Sequence, residues 1–246
     1  MPDALEFARR WLKFEPDERQ KEVLLSKAKR GILNCSRQWG KSTIAAAKAL
    51  YCACTGPGRL VLVASPTERQ SREFLRKAAT LLRRAGVKPR GDGDNKVSLL
   101  LPNGSRIVGL PGKEANVRGF SAVAMLLIDE AAQVSDGMYK TLPPMLALGG
   151  GELWLMSTPW GKRGFFYENW ANGGTGWTRV SVPATECPRI SKEFLEEERS
   201  SLGMAHVRQE YLCEFVGNNF SLFDRELVEA MLDDDVEPLD VGSSWE

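Results

Sequence analysis

The sequence has one histidine, His206, and five cysteines, at positions 35, 52, 54, 187 and 213, with no Cys-x-x-Cys pair among them. A zinc centre needs Cys and His clustered at ligand spacing, and this supply does not provide it. The thiols read instead as small buried or half-buried side chains of a reducing cytoplasm. Long apolar runs are also missing. The longest spans residues 122–128, far short of the roughly 20 residues a membrane helix requires. The N-terminus opens Met-Pro-Asp and carries charge where a signal segment would be apolar, so the expectation is a soluble, unexported protein with no membrane partner. Internal repeats and low-complexity stretches are absent as well.

What is present fits a globular chain. With 246 residues, 43 % of them apolar, there is material for one large domain, or for a core with a smaller appendage. The formal net charge of +1 hides a polarity. Residues 1–192 hold 30 Lys/Arg against 17 Asp/Glu, whereas residues 193–246 hold 3 against 15. A basic body of this kind points to a polyanionic partner. The acidic segment can serve as a linker, a helical lid or a surface for basic neighbours.

Short apolar runs alternate with longer amphipathic ones, the pattern of an α/β fold with a mostly parallel sheet. Helices are expected at Glu18–Lys29, Lys41–Cys54 and Thr67–Ala85, and strands at Gly31–Asn34, Leu60–Ala64, Ala122–Ile128, Leu153–Ser157 and Thr178–Val182. Lys96–Leu101 and Arg106–Leu110 flank Pro102-Asn103-Gly104-Ser105 and read as a hairpin, because Asn-Gly tolerates the positive φ of a tight turn. Along the third helix, at about 100° per residue, Arg69, Arg72, Arg76 and Arg83 fall on one stripe, opposite Phe74, Ala78, Leu81, Leu82 and Ala85. That stripe is a candidate nucleic-acid surface. After Ile190 the sequence turns helical and acidic, which divides the chain into an expected core, 1–190, and an appendage, 191–246.

Two segments carry chemistry. Cys35-Ser36-Arg37-Gln38-Trp39-Gly40-Lys41-Ser42-Thr43 lies between an expected strand and an expected helix, the setting of a phosphate-binding loop. Gly40 lets the backbone approach an anion, the helix N-terminus attracts it, Lys41 can reach β- and γ-phosphates, and the Ser42 hydroxyl can ligate Mg²⁺. Cys35 stands where the strict pattern has glycine, so this motif alone is weak. The second segment, Met125-Leu126-Leu127-Ile128-Asp129-Glu130, is an apolar strand ending in two carboxylates. Asp129 can hold the metal shell, and Glu130 can polarise water for in-line attack. Ser157-Thr158-Pro159 closes a further strand with polar groups able to sense a γ-phosphate. Upstream, Gln20 carries an amide of the kind that reads the N6/N7 edge of adenine. Arg37 within the loop and Arg118 beside Gly119 are cations able to act on phosphate charge.

Taken together and in order, Ser36–Ser42, Ala64-Ser65-Pro66-Thr67, Arg118-Gly119, Ile128-Asp129-Glu130-Ala131-Ala132, Ser157-Thr158-Pro159 and Gln209–Phe215 resemble the ATPase domain of tailed-phage terminase large subunits, over roughly residues 14–220. The resemblance implies a P-loop NTPase of the ASCE type with a small C-terminal helical lid or linker, and an ATP-hydrolysing motor that drives double-stranded DNA into a procapsid. It implies ATP and Mg²⁺ as cofactors, and a homo-oligomeric ring on a portal, working with a terminase small subunit in the cytoplasm of an infected bacterium. By the same resemblance, Gln20 reads adenine, Ser36–Thr43 hold phosphate, Ser42 and Asp129 hold metal, and Glu130 is the catalytic carboxylate. Ser157-Thr158-Pro159 couple hydrolysis to movement, and Arg118 acts on a neighbouring subunit. Family members usually continue into a metal-dependent nuclease, which is expected to be absent from this chain. Two other readings compete. A two-lobed helicase-like ATPase needs a second lobe for which 246 residues leave no room. A nucleotide-gated assembly module that does not hydrolyse has no need of Glu130.

Overall fold

The computed structural model describes residues 2–92, 95–110, 119–187 and 189–217. Eight strands form one sheet: β1 (Arg30–Cys35), β2 (Leu60–Ala64), β3 (Arg90–Asp92), β4 (Asn95–Leu100), β5 (Arg106–Gly109), β6 (Met125–Asp129), β7 (Glu152–Ser157) and β8 (Thr178–Val182). Their spatial order is β3-β4-β5-β2-β6-β7-β1-β8. From β5 to β8 every neighbouring pair is parallel, and only the β3-β4-β5 edge is antiparallel. This is the expected α/β arrangement, mostly parallel and flanked by helices.

The parallel strands are near-continuous apolar runs because both faces are covered. Leu33, Val61, Val63, Leu127, Trp154, Met156 and Val180 point to one core. Helices α1 (Ala4–Glu6), α2 (Glu18–Leu25), α3 (Lys41–Cys54) and α4 (Glu68–Arg84) are interleaved with these strands in the chain and supply Val23, Leu24, Ile44, Leu50, Phe74 and Leu82 to it. Ile32, Leu62, Leu126, Ile128, Leu153 and Leu155 point the other way, against Met138 of α5 (Asp136–Thr141) and Phe165 and Phe166 of α6 (Gly164–Ala171). Burying each such side chain fully contributes about 1.5–3 kcal/mol. Gly31 pairs with Trp154 across β1 and β7, and a Cβ at Gly31 would lie 2.2 Å from the indole ring. Glycine there lets the ring lie flat across the strand.

Most strand boundaries shift by a residue, and three shifts are instructive. Helix α2 ends at Leu25, four residues before the expected Lys29, where Ser26 turns extended. Thr67 caps α4 from outside, its hydroxyl accepting from the Gln70 amide, rather than opening the helix. Residues 122–124 precede β6 instead of belonging to it: Ala122 adopts φ 55°, which a strand does not tolerate. The expected hairpin forms between β4 and β5, with Gly104 at φ 79°. Several elements had not been expected: the short edge strand β3, helices α5 and α6, and the N-terminal helical turns, where α1 continues into π-helical turns at Phe7–Trp11.

Residues 1–216 form one compact unit. Helices α7 (Lys192–Leu202) and α8 (Met204–Glu210) are the described part of the acidic segment. Val207 and Tyr211 pack there with Ala184, so these helices belong to that unit. Residues 218–246 lie outside the described residues, as does Arg118.

Candidate active site

The C-terminal ends of β1, β6 and β7 meet at the N-terminus of α3. Gly40 occupies the helix N-cap at φ 97°, a left-handed conformation that favours glycine, and no side chain caps the helix there. The first amides of a 14-residue helix are thus free of a side-chain cap, with the positive end of its dipole behind them. Such an end binds anions. Gln38, two residues earlier, is also left-handed at φ 61°. The loop is wound tightly, and its outer residues Arg37 and Gln38 are exposed.

Lys41 is 7 % exposed, and its Nζ lies 3.6 Å from Glu130 Oε1. Ser42 Oγ donates to Asp129 Oδ1 at 3.5 Å, and Ser157 Oγ donates to Glu130 Oε2 at 3.4 Å. The expected constellation from the loop, the β6 carboxylates and the β7 end is therefore assembled in one place. Thr158 and Pro159 are buried beside it. Glu130 leaves β6 in the left-handed region, φ 51°. That is costly for a residue with a Cβ, by about 1–3 kcal/mol, and such strain collects at functional positions.

Burial pushes the Asp129 carboxyl up to about 6; the Glu130 charge adds to this, while Lys41, Lys77 and Ser42 oppose it. A buried carboxylate with a hydroxyl beside it offers hard oxygen donors suited to Mg²⁺, which takes one or two carboxylates and completes its shell with waters and phosphates. The donor set thus fits the expected ion. Among the described residues no cluster of three or more His, Cys, Asp or Glu stands ready to hold a metal unaided.

The remaining candidates are distributed unevenly. Ser36 is buried and its Oγ has no hydrogen-bond partner, while its amide donates to Val182 O. The Trp39 ring is in the core, so any contact this residue makes with a ligand runs through its backbone. Gln20 is 2 % exposed and reaches the loop, but its amide is engaged: Oε1 accepts from Asp17 N at 3.1 Å and Nε2 donates to Trp39 O at 3.1 Å. Arg37 does not turn toward Lys41. Its Nε donates to Glu210 Oε2 at 2.5 Å, and its amide donates to Glu210 O at 3.1 Å. Glu210, 1 % exposed, is a loop partner that had not been assigned a role. Arg189 is another, since it donates to the Trp39 carbonyl. Arg69, Arg72, Arg76 and Arg83 are exposed on α4, as expected; Arg72 pairs with Glu68, and Arg76 with Glu73 at 2.6 Å. The buried Cys35 at the head of the loop has its thiol pushed well above the ordinary range by burial, and is inert. No helix among the described residues is long and apolar enough to cross a membrane.

Comparison with known proteins bears on this geometry. Residues 32–230 match the family model described as terminase large subunit, T4likevirus-type, N-terminal. The terminase large subunit of Thermus virus P23-45 is 26 % identical over 86 % of this chain and 51 % of its own length; that of Thermus phage G20c is 25 % identical over the same shares. The chain therefore spans about half the length of the curated relatives it matches. Among solved structures, the large terminase ATPase domain of Thermus phage P74-26 superposes with a TM-score of 0.78 at 21 % identity, covering 88 % of this chain and 100 % of that one. The large terminase of bacteriophage D6E, in complex with ATP-gamma-S, superposes at 0.66 with 14 % identity, over 87 % of this chain and 51 % of that one.

Proposed function

We infer the function from the premise that this chain belongs to the terminase large subunit family, in its T4likevirus-type N-terminal part. It is the ATP-hydrolysing motor part of a viral DNA-packaging machine, which couples hydrolysis to movement of double-stranded DNA into a procapsid. The observation that carries this reading is the meeting of an α3 N-terminus without a side-chain cap, Lys41 and the Asp129–Glu130 pair at one edge of the sheet.

The amides opening α3 and the Lys41 ammonium hold the β- and γ-phosphates. Ser42 and Asp129 would hold Mg²⁺, which would neutralise charge on the phosphate oxygens. Glu130 accepts the proton of the attacking water, and Ser157 keeps its carboxylate oriented through the 3.4 Å hydrogen bond. Ser157-Thr158-Pro159 then feel any change at Glu130 and pass it along the chain leaving β7. The Gly161 amide in that segment donates to Gln209 Oε1 at 3.3 Å, next to the Glu210 that holds Arg37, so the loop and the coupling segment share an anchor in α8. Gln20 reaches adenine only by releasing Trp39 or Asp17. Partners on this reading are double-stranded DNA along the basic body, further copies in a portal-bound ring and a small subunit, in the cytoplasm of the infected bacterium.

Glu130→Gln should keep ATP binding and lower turnover by about 10²–10⁴, the usual worth of a positioned base. Phosphate release measured beside nucleotide binding checks this, and wild-type turnover by the variant removes the assignment. Arg118 is assigned a role in trans, where a guanidinium on the transferring phosphoryl group is worth about 10³–10⁵ in other NTPases. Arg118→Ala should bind ATP and stay inactive alone. Mixed with Lys41→Ala, which keeps its arginine, it should regain part of the activity; a mixture that stays dead refutes the trans role.

A further inference from the structure

Arg189, on the segment after β8, belongs to no motif described above, yet it lies against the phosphate loop. Its Nη2 donates to the Trp39 carbonyl and sits 3.3 Å from Asp17 Oδ2. Gln20 Nε2 donates to the same carbonyl at 3.1 Å. Both side chains flank Gly40: a Cβ there would stand 3.2 Å from Gln20 Nε2 and 3.9 Å from Arg189 Nη2. A second ion pair, Arg19–Glu186 at 3.5 Å, ties the same two segments, the start of α2 and the chain after β8. Both arginines are about half exposed, but Arg37 is turned away to the buried Glu210, whereas Arg189 lies against the loop beside Gly40.

The sheet order gives the direction. Glu130 and Ser157, which face the reacting phosphate, follow β6 and β7; the loop follows β1; Arg189 follows β8, on the opposite flank. A nucleotide with its γ-phosphate at Glu130 and its β-phosphate on the α3 amides extends its other end toward Gln20 and Arg189. We propose that Arg189 contacts the nucleobase, its planar guanidinium lying against the purine face beside the Gln20 amide. The proposal rests on the nucleotide reading given above. Arginine suits such a contact because a flat, delocalised, weakly hydrated cation stacks on an aromatic ring, which a lysine ammonium does not reproduce.

The test separates base from phosphate. Affinities of the wild-type chain for ATP and for inorganic triphosphate, each with Mg²⁺, are measured by displacement of a fluorescent ATP analogue. Arg189→Ala should weaken ATP about tenfold and leave inorganic triphosphate within about twofold. Arg189→Gln keeps a polar amide of shorter reach without the guanidinium plane; its thermal midpoint, measured beside the affinities, reports any loss of loop support, it should show the same selective loss, and it decides the matter if the alanine variant fails to fold. Wild-type ATP affinity in Arg189→Gln overturns the proposal. An equal loss for both ligands in that variant also overturns it, since that is the signature of loop support. A wild-type chain that binds neither ligand removes the nucleotide reading itself, and this assignment with it.

Discussion

Helix α3 carries two buried lysines two turns apart, and each faces a glutamate on the sheet. Lys41 lies 3.6 Å from Glu130, and Lys48 lies 3.5 Å from Glu152. The two pairs have nearly the same exposure, yet their surroundings differ. Lys48 also donates to Ser26 O at 3.0 Å and Val23 O at 3.3 Å, and stands 4.7 Å above the Trp154 ring. Its donors are used, although burial still pulls its pKa below the ordinary lysine range. Lys41 has only Glu130 among the described residues. An ammonium with three donors and one long contact retains capacity for a ligand; one with every donor engaged is a rivet between α2, α3 and the sheet. On the reading proposed above, the same residue type at the same burial thus serves a ligand at one end of the helix and the fold at the other.

The largest expected effect breaks this comparison most directly. Lys41→Ala should lower ATP turnover by about 10³-fold or more while moving stability little, because it removes a phosphate contact and no carbonyl partner. Lys48→Met should do the reverse, costing about 2–4 kcal/mol of stability through the unpaired Val23 and Ser26 carbonyls and Glu152, and keeping turnover in the folded fraction. Urea titrations beside phosphate-release rates decide this, and a folded but inactive Lys48→Met would sink the distinction.

Asp129 sharpens the comparison in pH. Its folded carboxyl titrates at about 6 against an ordinary value of 3.8, so the folded chain binds the proton more tightly than the unfolded chain. Without metal, the contribution of Asp129 to stability is therefore fullest below about pH 4, falls as pH rises through the window between those values, and levels off above it. The drop is roughly 3 kcal/mol, at about 1.4 kcal/mol per pKa unit. In EDTA, Asp129→Asn should flatten this slope and exceed wild type by a similar margin at pH 7. An unchanged slope in the variant would place the strain elsewhere.

The smallest effect extends the distinction between used and unused cations to α4. Arg72 and Arg76 are paired with Glu68 and Glu73, whereas Arg69 and Arg83 have no carboxylate partner among the described residues. Reversing Arg69 and Arg83 to Glu should weaken DNA binding more than reversing Arg72 and Arg76. It should also lower the slope of log affinity against log salt by roughly 2, one per lost phosphate contact. Equal losses, or none, would remove the stripe as a DNA surface.

Local signals carried much of this into the sequence. Residues Lys41–Cys54 and Leu60–Ala64 are read to the residue, because a glycine before Lys-Ser and an unbroken apolar run with valines are strong punctuation. The capping box of Asp17 and Gln20 went unread, although Asp17-Glu18-Arg19-Gln20 has its spacing and the structure contains one. Helix α6 was hidden by composition, since Gly-Phe-Phe-Tyr-Glu-Asn-Trp-Ala shows no apolar stripe against a polar face. The π-helical turns at Phe7–Trp11 have no sequence signature of this kind. Partners of the loop lay beyond any local pattern, because Glu210 and Arg189 are 173 and 150 residues from the positions they hold.

That separation governs when the site comes into being on the ribosome. A nascent chain that has emerged as far as β8 already contains the phosphate loop, both carboxylates and the coupling segment. It lacks α8, and with it the carboxylate and carbonyl of Glu210 that fix Arg37 from both its side chain and its amide. The support that α8 gives the loop therefore arrives late in synthesis, once residues that read as an appendage have closed onto a loop they follow by more than half the chain.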